Sequence, residues 1–272
     1  LIDLLIIIFL VGDPALVQGD ALHAKGFYDE AITEYQRYIF FNPDGARTSD
    51  VYYHIGLVCR DQQKWEQSID AFRMAMHTAL SDSLRYRAEL ALATAYIASG
   101  NYSAGEIVLL KLEMSMPPAY IKVRAVFLRA LATLYAKKWD QAEKAFKTYF
   151  LSNPDPDMQA QVDSLIRETK DFYYLSPETA RQLSTLIPGL GQIYAGDWGH
   201  GLNSLVLNGS MIAWMGYKIY NRYFNDAWTI YYFLFRRYYA GGRYNAERIA
   251  QEYNDTFDKT QAQKIIDLFL EE

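Results

Sequence analysis

Apolar and polar positions in the first half of the chain follow a helical rhythm that recurs. Four stretches align without gaps: KGFYDEAITEYQRYIFFNP, QQKWEQSIDAFRMAMHTAL, SGNYSAGEIVLLKLEMSMP and AKKWDQAEKAFKTYFLSNP. Each has an aromatic (Tyr28, Trp65, Tyr102, Trp139) and, three places on, a small residue (Ala31, Ser68, Gly105, Ala142). A large apolar residue follows four places later (Tyr35, Phe72, Leu109, Phe146), and equivalent positions lie 37 apart. Pro43, Pro117 and Pro154 close three of the four stretches. This pattern predicts helix hairpins that cannot bury their apolar faces singly and must stack. The small residue lets two helices approach, the aromatic and the residue seven later share a face, and proline stops the second helix. First helices carry their own small residue at Gly19, Gly56, Ala93 and Ala130. Residues 157–170 read as one more amphipathic helix, placed to cap the last repeat.

Two other regions break the rhythm. Leu4 to Val11 is an apolar run too short to span a bilayer. It fits the core of a secretory signal, with a buried apolar helix on the first repeat as the alternative. From Ser176 onward the chain turns glycine- and aromatic-rich, with uncharged runs at 183–196, 202–217 and 227–235. The middle run reaches about 24 Å as a helix, short of a hydrocarbon core of roughly 30 Å. Snorkelling by Lys218 and Arg222 would make up the difference. Trp198, Trp214, Tyr217, Tyr220, Tyr223 and Trp228 then read as an interfacial belt. A soluble hairpin buried against the repeats is the alternative. The end, from Asn245, reads as a polar amphipathic helix with Ile265, Ile266, Phe269 and Leu270 as its apolar stripe.

Composition narrows the chemistry. A net charge of −5 gives no bulk basic surface for nucleic acid. A single cysteine, Cys59, excludes a disulfide framework within the chain and a several-cysteine zinc site. The four histidines are scattered, and no pair has metal-ligand spacing. Gly189-Leu190-Gly191 is no dinucleotide fingerprint, because the third glycine comes late and no strand precedes it. No phosphate loop or nucleophile elbow occurs. His54 and Cys59 lie five apart on one helix, off a common face. No cofactor and no metal are expected.

The 37-residue units resemble the tetratricopeptide repeat family, whose usual unit is 34 residues. Leu80 departs from that pattern where proline is expected, as do Gln63 and Lys137 where glycine is common. The string Pro188-Gly189-Leu190-Gly191-Gln192-Ile193-Tyr194-Ala195-Gly196 resembles the Pro-Gly-x-Gly-x-x-Tyr-x-Gly signature of small bacterial two-helix membrane domains. It is similar too to the tail of envelope tetratricopeptide proteins. The resemblance implies an all-α chain: a tetratricopeptide helix-hairpin solenoid, then a helical, Gly/aromatic-rich hydrophobic hairpin domain. Residues 1–12 are then a signal remnant or apolar helix. Residues 13–175 hold four repeats and a capping helix, and residues 176–272 the hydrophobic domain with its amphipathic C-terminal helix. It implies an exported, membrane-associated protein on the periplasmic face of the bacterial envelope, with membrane contact through 183–235.

Two classes of function follow. The first is a non-enzymatic scaffold that takes a protein or peptide partner in its concave groove. Its groove face is expected at Tyr53, Arg60, Arg87, Arg124 and Arg129, basic positions that suit an acidic segment. The alternative for these arginines is solvated surface. A variant of this class is a membrane-protein biogenesis factor. The second class is a small-ligand binder around Gly189–Gly201, with Tyr194, Asp197 and His200. Pro188, Gly189, Gly191, Gln192, Tyr194 and Gly196 form either a packing device between helices or a ligand-binding loop.

Overall fold

The computed structural model describes residues 13–270. The described residues are helical throughout, with no strand among them. They fall into two units, one ending at Ser164 and one beginning at Leu165.

In the first unit, helices α1 (Pro14–Ala24), α2 (Tyr28–Phe41), α3 (Thr48–Asp61), α4 (Trp65–His77), α5 (Asp82–Ala98), α6 (Tyr102–Met114), α7 (Ala119–Tyr135) and α8 (Trp139–Ser152) each pack on the next. The first helices of successive hairpins also meet, α3 on α5 and α5 on α7. That is the connectivity of a helical repeat array. Each second helix starts at the recurring aromatic: Tyr28, Trp65, Tyr102 or Trp139. Ala31, Ser68, Gly105 and Ala142 are buried, and so are Tyr35, Phe72, Leu109 and Phe146. Burying one such large side chain stabilises by about 1.5–3 kcal/mol. Ser68 sits in this apolar seam because its hydroxyl donates to the Gly56 carbonyl at 2.8 Å. An unpaired hydroxyl there would carry a desolvation penalty.

The turn inside each hairpin is one motif used four times. Gly26, Gln63, Gly100 and Lys137 all have positive φ, between 57° and 82°. The following residue donates its N–H five positions back, as Lys64 does to Cys59 and Lys138 to Thr133. This is the Schellman closure, which satisfies the last carbonyls of the first helix. Gln63 and Lys137 therefore adopt the glycine conformation without being glycine.

Helix α9 (Pro156–Asp171) contains the boundary between the units. The second unit holds α10 (Pro177–Leu186), α11 (Leu190–Tyr194) and α12 (Trp198–Tyr220). A continuous rod follows: α13 (Phe224–Thr229), a π-helical segment (Ile230–Phe235) and α14 (Arg236–Leu268). Helix α10 packs along α14, α11 bridges α10, α12 and α14, and α12 with α13 and the π segment forms a hairpin. Near the start of this unit, Tyr174 donates to Asp258 at 2.5 Å, and Leu175 exchanges two hydrogen bonds with the Asn254 side chain. Phe172 stacks on Phe257 with ring centroids 3.5 Å apart. The stripe expected near the end divides: Ile265 is fully buried, whereas Leu270 is exposed.

The envelope assignment, with a membrane-type domain at 183–235, is corrected by these helices. Among the described residues no helix is long and apolar enough to cross a membrane. The apolar positions of α12 are interrupted by Asn203, Ser204, Asn208 and Ser210. Lys218 near its end is tied to Asp226 at 2.8 Å. In the rod, the apolar run is cut at Arg236 and Arg237. The signal-like run at 4–11 lies outside the described residues.

Candidate functional site

Four of the five arginine and tyrosine positions singled out in the sequence line one groove. Tyr53 and Arg60 come from α3, Arg87 from α5 and Arg124 from α7. The groove encloses about 590 Å³. Its construction follows from the repeat: positions 50, 87 and 124 are equivalent, as are 53, 90 and 127. The first set supplies Asp50, Arg87 and Arg124, and the second supplies Tyr53, Leu90 and Phe127. The groove thus sets a charged stripe beside an apolar one, running over successive first helices.

The three arginines differ in their attachments. Arg87 pairs with Asp50, and its guanidinium lies 4.3 Å from the centre of the Tyr53 ring. A cation over an aromatic face is held there by the ring quadrupole. Arg60 is bonded to its neighbour Asp61 at 2.9 Å, and His23 holds the same carboxylate from the other side. Partial burial opposes ionisation of Asp61, but the bonds from His23 and Arg60 outweigh it and hold the carboxyl below its usual range. Arg124 has no acid partner among the described residues.

Arg129 is not in this groove. It grips Glu113 with two nitrogens, at 2.6 and 3.2 Å, and both side chains are mostly buried. This bidentate pair joins α7 to α6 and leaves little of the guanidinium for a ligand. Sequence reasoning missed Leu90, Thr94, Phe127 and Leu128 as groove residues. The signal was present: each lies three to seven places after Arg87 or Arg124, on the same helix face.

The glycine motif of the second unit lies at a crossing of helices. Gly189 has φ of +97° and caps α11. The Ser184 hydroxyl donates to Gln192 Oε1 at 2.9 Å and accepts the Gly191 N–H at 3.0 Å. Gln192 Nε2 donates to the Gly242 carbonyl on α14 at 2.9 Å. The Tyr194 hydroxyl accepts the Ser176 N–H at 3.2 Å. A Cβ on Gly191 would collide with the Ala180 carbonyl oxygen. Pro188 precedes this crossing, and Gly196, with φ of +87°, closes α11 in another Schellman turn.

Asp197 and His200 meet, but as a helix cap. Asp197 accepts the His200 backbone N–H at 2.9 Å and the imidazole Nδ1 at 2.7 Å. The backbone bond, the larger cause, holds the carboxyl below its usual range. A cavity of about 900 Å³ opens beside them, walled by Phe172, Trp198, Tyr253 and Phe257. Its Arg248 is spent on Glu252 and Asn245, each at 2.6 Å. In the first unit, Cys59 is buried, and burial pushes its thiol up. His54 faces Asp20 at 3.4 Å, and burial outweighs that carboxylate to push the imidazole down. Among the described residues, no three His, Cys, Asp or Glu side chains converge as a metal set.

Compared with known proteins, the chain matches no family model and no curated protein. The resemblance to the tetratricopeptide family, and to envelope proteins with a two-helix membrane domain, is corrected accordingly. What the chain has is an all-α array of consecutively packed helices, whose small-and-large alternation is the demand of stacking hairpins in general. Such a repeat-like fold is consistent, in general terms, with a protein-interaction scaffold.

Proposed function

We propose that the first unit is a non-enzymatic interaction scaffold whose groove takes an acidic, extended protein segment. The observation that carries this reading is Arg124, an unpaired cation in a groove that also presents Arg87 stacked on Tyr53. An acidic side chain set between Arg87 and Arg124 makes charge-assisted hydrogen bonds. The stripe of Tyr53, Leu90 and Phe127 takes the apolar residue beside it. Groove recognition of this sort combines one or two anchors with a surrounding polar rim. No catalytic role is assigned to the groove, since it presents cations and apolar walls without a nucleophile–base pair.

The test uses fluorescently labelled peptides of one length and graded acidic content, titrated against the full chain. Acidic peptides should bind more tightly than basic ones, and the preference should fall as salt rises, because exposed charges are screened beyond about 8 Å at physiological ionic strength. Arg124→Glu should weaken acidic-peptide binding about tenfold or more without lowering thermal stability. Equal binding of acidic and basic peptides, or an unchanged affinity in Arg124→Glu, rejects the reading.

A further inference from the structure

The hairpin of α12 with α13 and the π segment is covered on only one side. Its inward stripe is Asn208, Met211, Ala227 and Ile230, all buried. Outward, Trp214, Tyr217, Tyr220, Trp228, Tyr232 and Phe233 are each between 49% and 86% exposed. An aromatic side chain offers about 150–250 Å², so these six leave roughly 700 Å² open. Leu205, Val206, Ile212 and Ile219, also exposed, enlarge the patch. The largest apolar patch on a monomer is about 300–600 Å². A standard interface takes about 800 Å² from each partner. The hairpin offers an area of that size.

A helix layer with an apolar face needs a second layer. We infer that the occupant is a second copy of this chain, the two hairpins closing into a four-helix bundle. Three observations support it. From Leu202 to Tyr217 helix α12 carries no charge, so two copies of that stretch meet without like-charge repulsion. The exposed surface is rich in Tyr and Trp, residues enriched in protein interfaces. An apolar groove of about 580 Å³ between α12 and α13, lined by Met215, Ile219, Phe224 and Trp228, gives protruding side chains of the other copy a seat.

Two glycines supply the handle for the test. Gly209 and Gly216 lie mid-helix on the open face with Ala213 between them, and a Cβ on either would meet nothing within 4 Å. Mid-helix glycine is unfavourable by itself, and the protomer's own packing does not require it here. A helix of a second copy crossing at this point would.

The experiment is sedimentation equilibrium on the full chain, with Gly209→Leu/Gly216→Leu beside it. The native protein should be a concentration-dependent dimer. The double variant should keep its helical circular dichroism, because the space is open in the protomer. Its dimer dissociation constant should rise about tenfold or more, since overpacking a seam disrupts it. With Ala213→Cys, a short bismaleimide should link two chains, while the native chain, whose sole thiol is buried, should not be linked. Four results overturn the inference: a monomer at every concentration, an unchanged dimer in the double variant, no link at position 213, or association only on phosphatidylcholine vesicles.

Discussion

Phe72 lies so close over Gly56 that a Cβ on Gly56 would come within 2.5 Å of its ring. Gly19 lies as close under Tyr35, and the same sixteen-residue spacing sets Ala93 before Leu109 and Ala130 before Phe146. The small member decides how close the two helices of a hairpin come, and the large member fills the seam.

Gly56→Ala should therefore destabilise the first unit by about 1–3 kcal/mol through overpacking. A second substitution, Phe72→Leu, should recover part of that loss, because it reproduces the Ala93–Leu109 pairing of the next repeat. Urea denaturation of the two single variants and the double variant checks this. Strict additivity would show that the two side chains do not share the seam.

Gln63 offers the opposite sign. It holds φ of 57° in the hairpin turn, where equivalent positions in two other repeats are Gly26 and Gly100. A side chain in the left-handed region costs about 1–2 kcal/mol. Glycine removes that strain and adds some unfolded-state entropy. Gln63→Gly should stabilise by roughly 0.5 kcal/mol. Gly100→Ala should lose about 1 kcal/mol, because its Cβ meets nothing within 4 Å and only the backbone strain remains. Thermal unfolding of both variants reads the two signs.

These positions show how far the sequence could be read. Spacing of 37 located every hairpin, since the aromatic, the small residue and the large residue are local signals of helix packing. It also placed Arg87 and Arg124 in one groove, being equivalent positions on a shared face. Arg129 misled because its partner Glu113 is on the preceding helix, and no spacing rule announces an ion pair between helices. The second unit was harder. Uncharged runs around Trp214 and Phe233 suit a membrane span by composition, but among the described residues no helix is long and apolar enough to cross a membrane. Gln192 at this crossing reaches Gly242, fifty residues away, so the glycines announced a special backbone without saying what approaches it.

Glu89 should make the first unit sensitive to pH. Burial pushes its carboxyl above the ordinary 4.5, and Arg85 at 3.9 Å only partly opposes that. Its second oxygen is buried with no hydrogen-bond partner. The native state therefore holds the proton more tightly than the unfolded chain. Relative stability is then greatest below the ordinary value and is lost as pH rises through the elevated one. Glu89→Gln should raise the thermal midpoint at neutral pH, and the difference should shrink as pH falls below the ordinary carboxylate range. A midpoint difference that does not change with pH would remove Glu89 as the cause.

Ser184 and Gln192 organise the helix crossing in the second unit. Ser184 serves both the Gly191 N–H and the Gln192 carboxamide, and Gln192 passes the chain of bonds to Gly242. Both side chains are almost completely buried. Ser184→Ala leaves a backbone N–H and an amide oxygen unsatisfied and should cost about 1–3 kcal/mol. Gln192→Leu should cost a similar amount, because it leaves the buried Ser184 hydroxyl without an acceptor. The double variant should cost less than the sum, since the groups each single change orphans are in part the same ones. Gly191→Ala should be worse than either, because its Cβ meets the backbone of Ala180, which cannot move without separating α10 from α11. Chemical denaturation followed by tryptophan fluorescence, with Trp198, Trp214 and Trp228 all in this unit, measures the four variants. Full additivity for Ser184 and Gln192 would mean that the bonds act separately and that the motif is held by glycine packing alone.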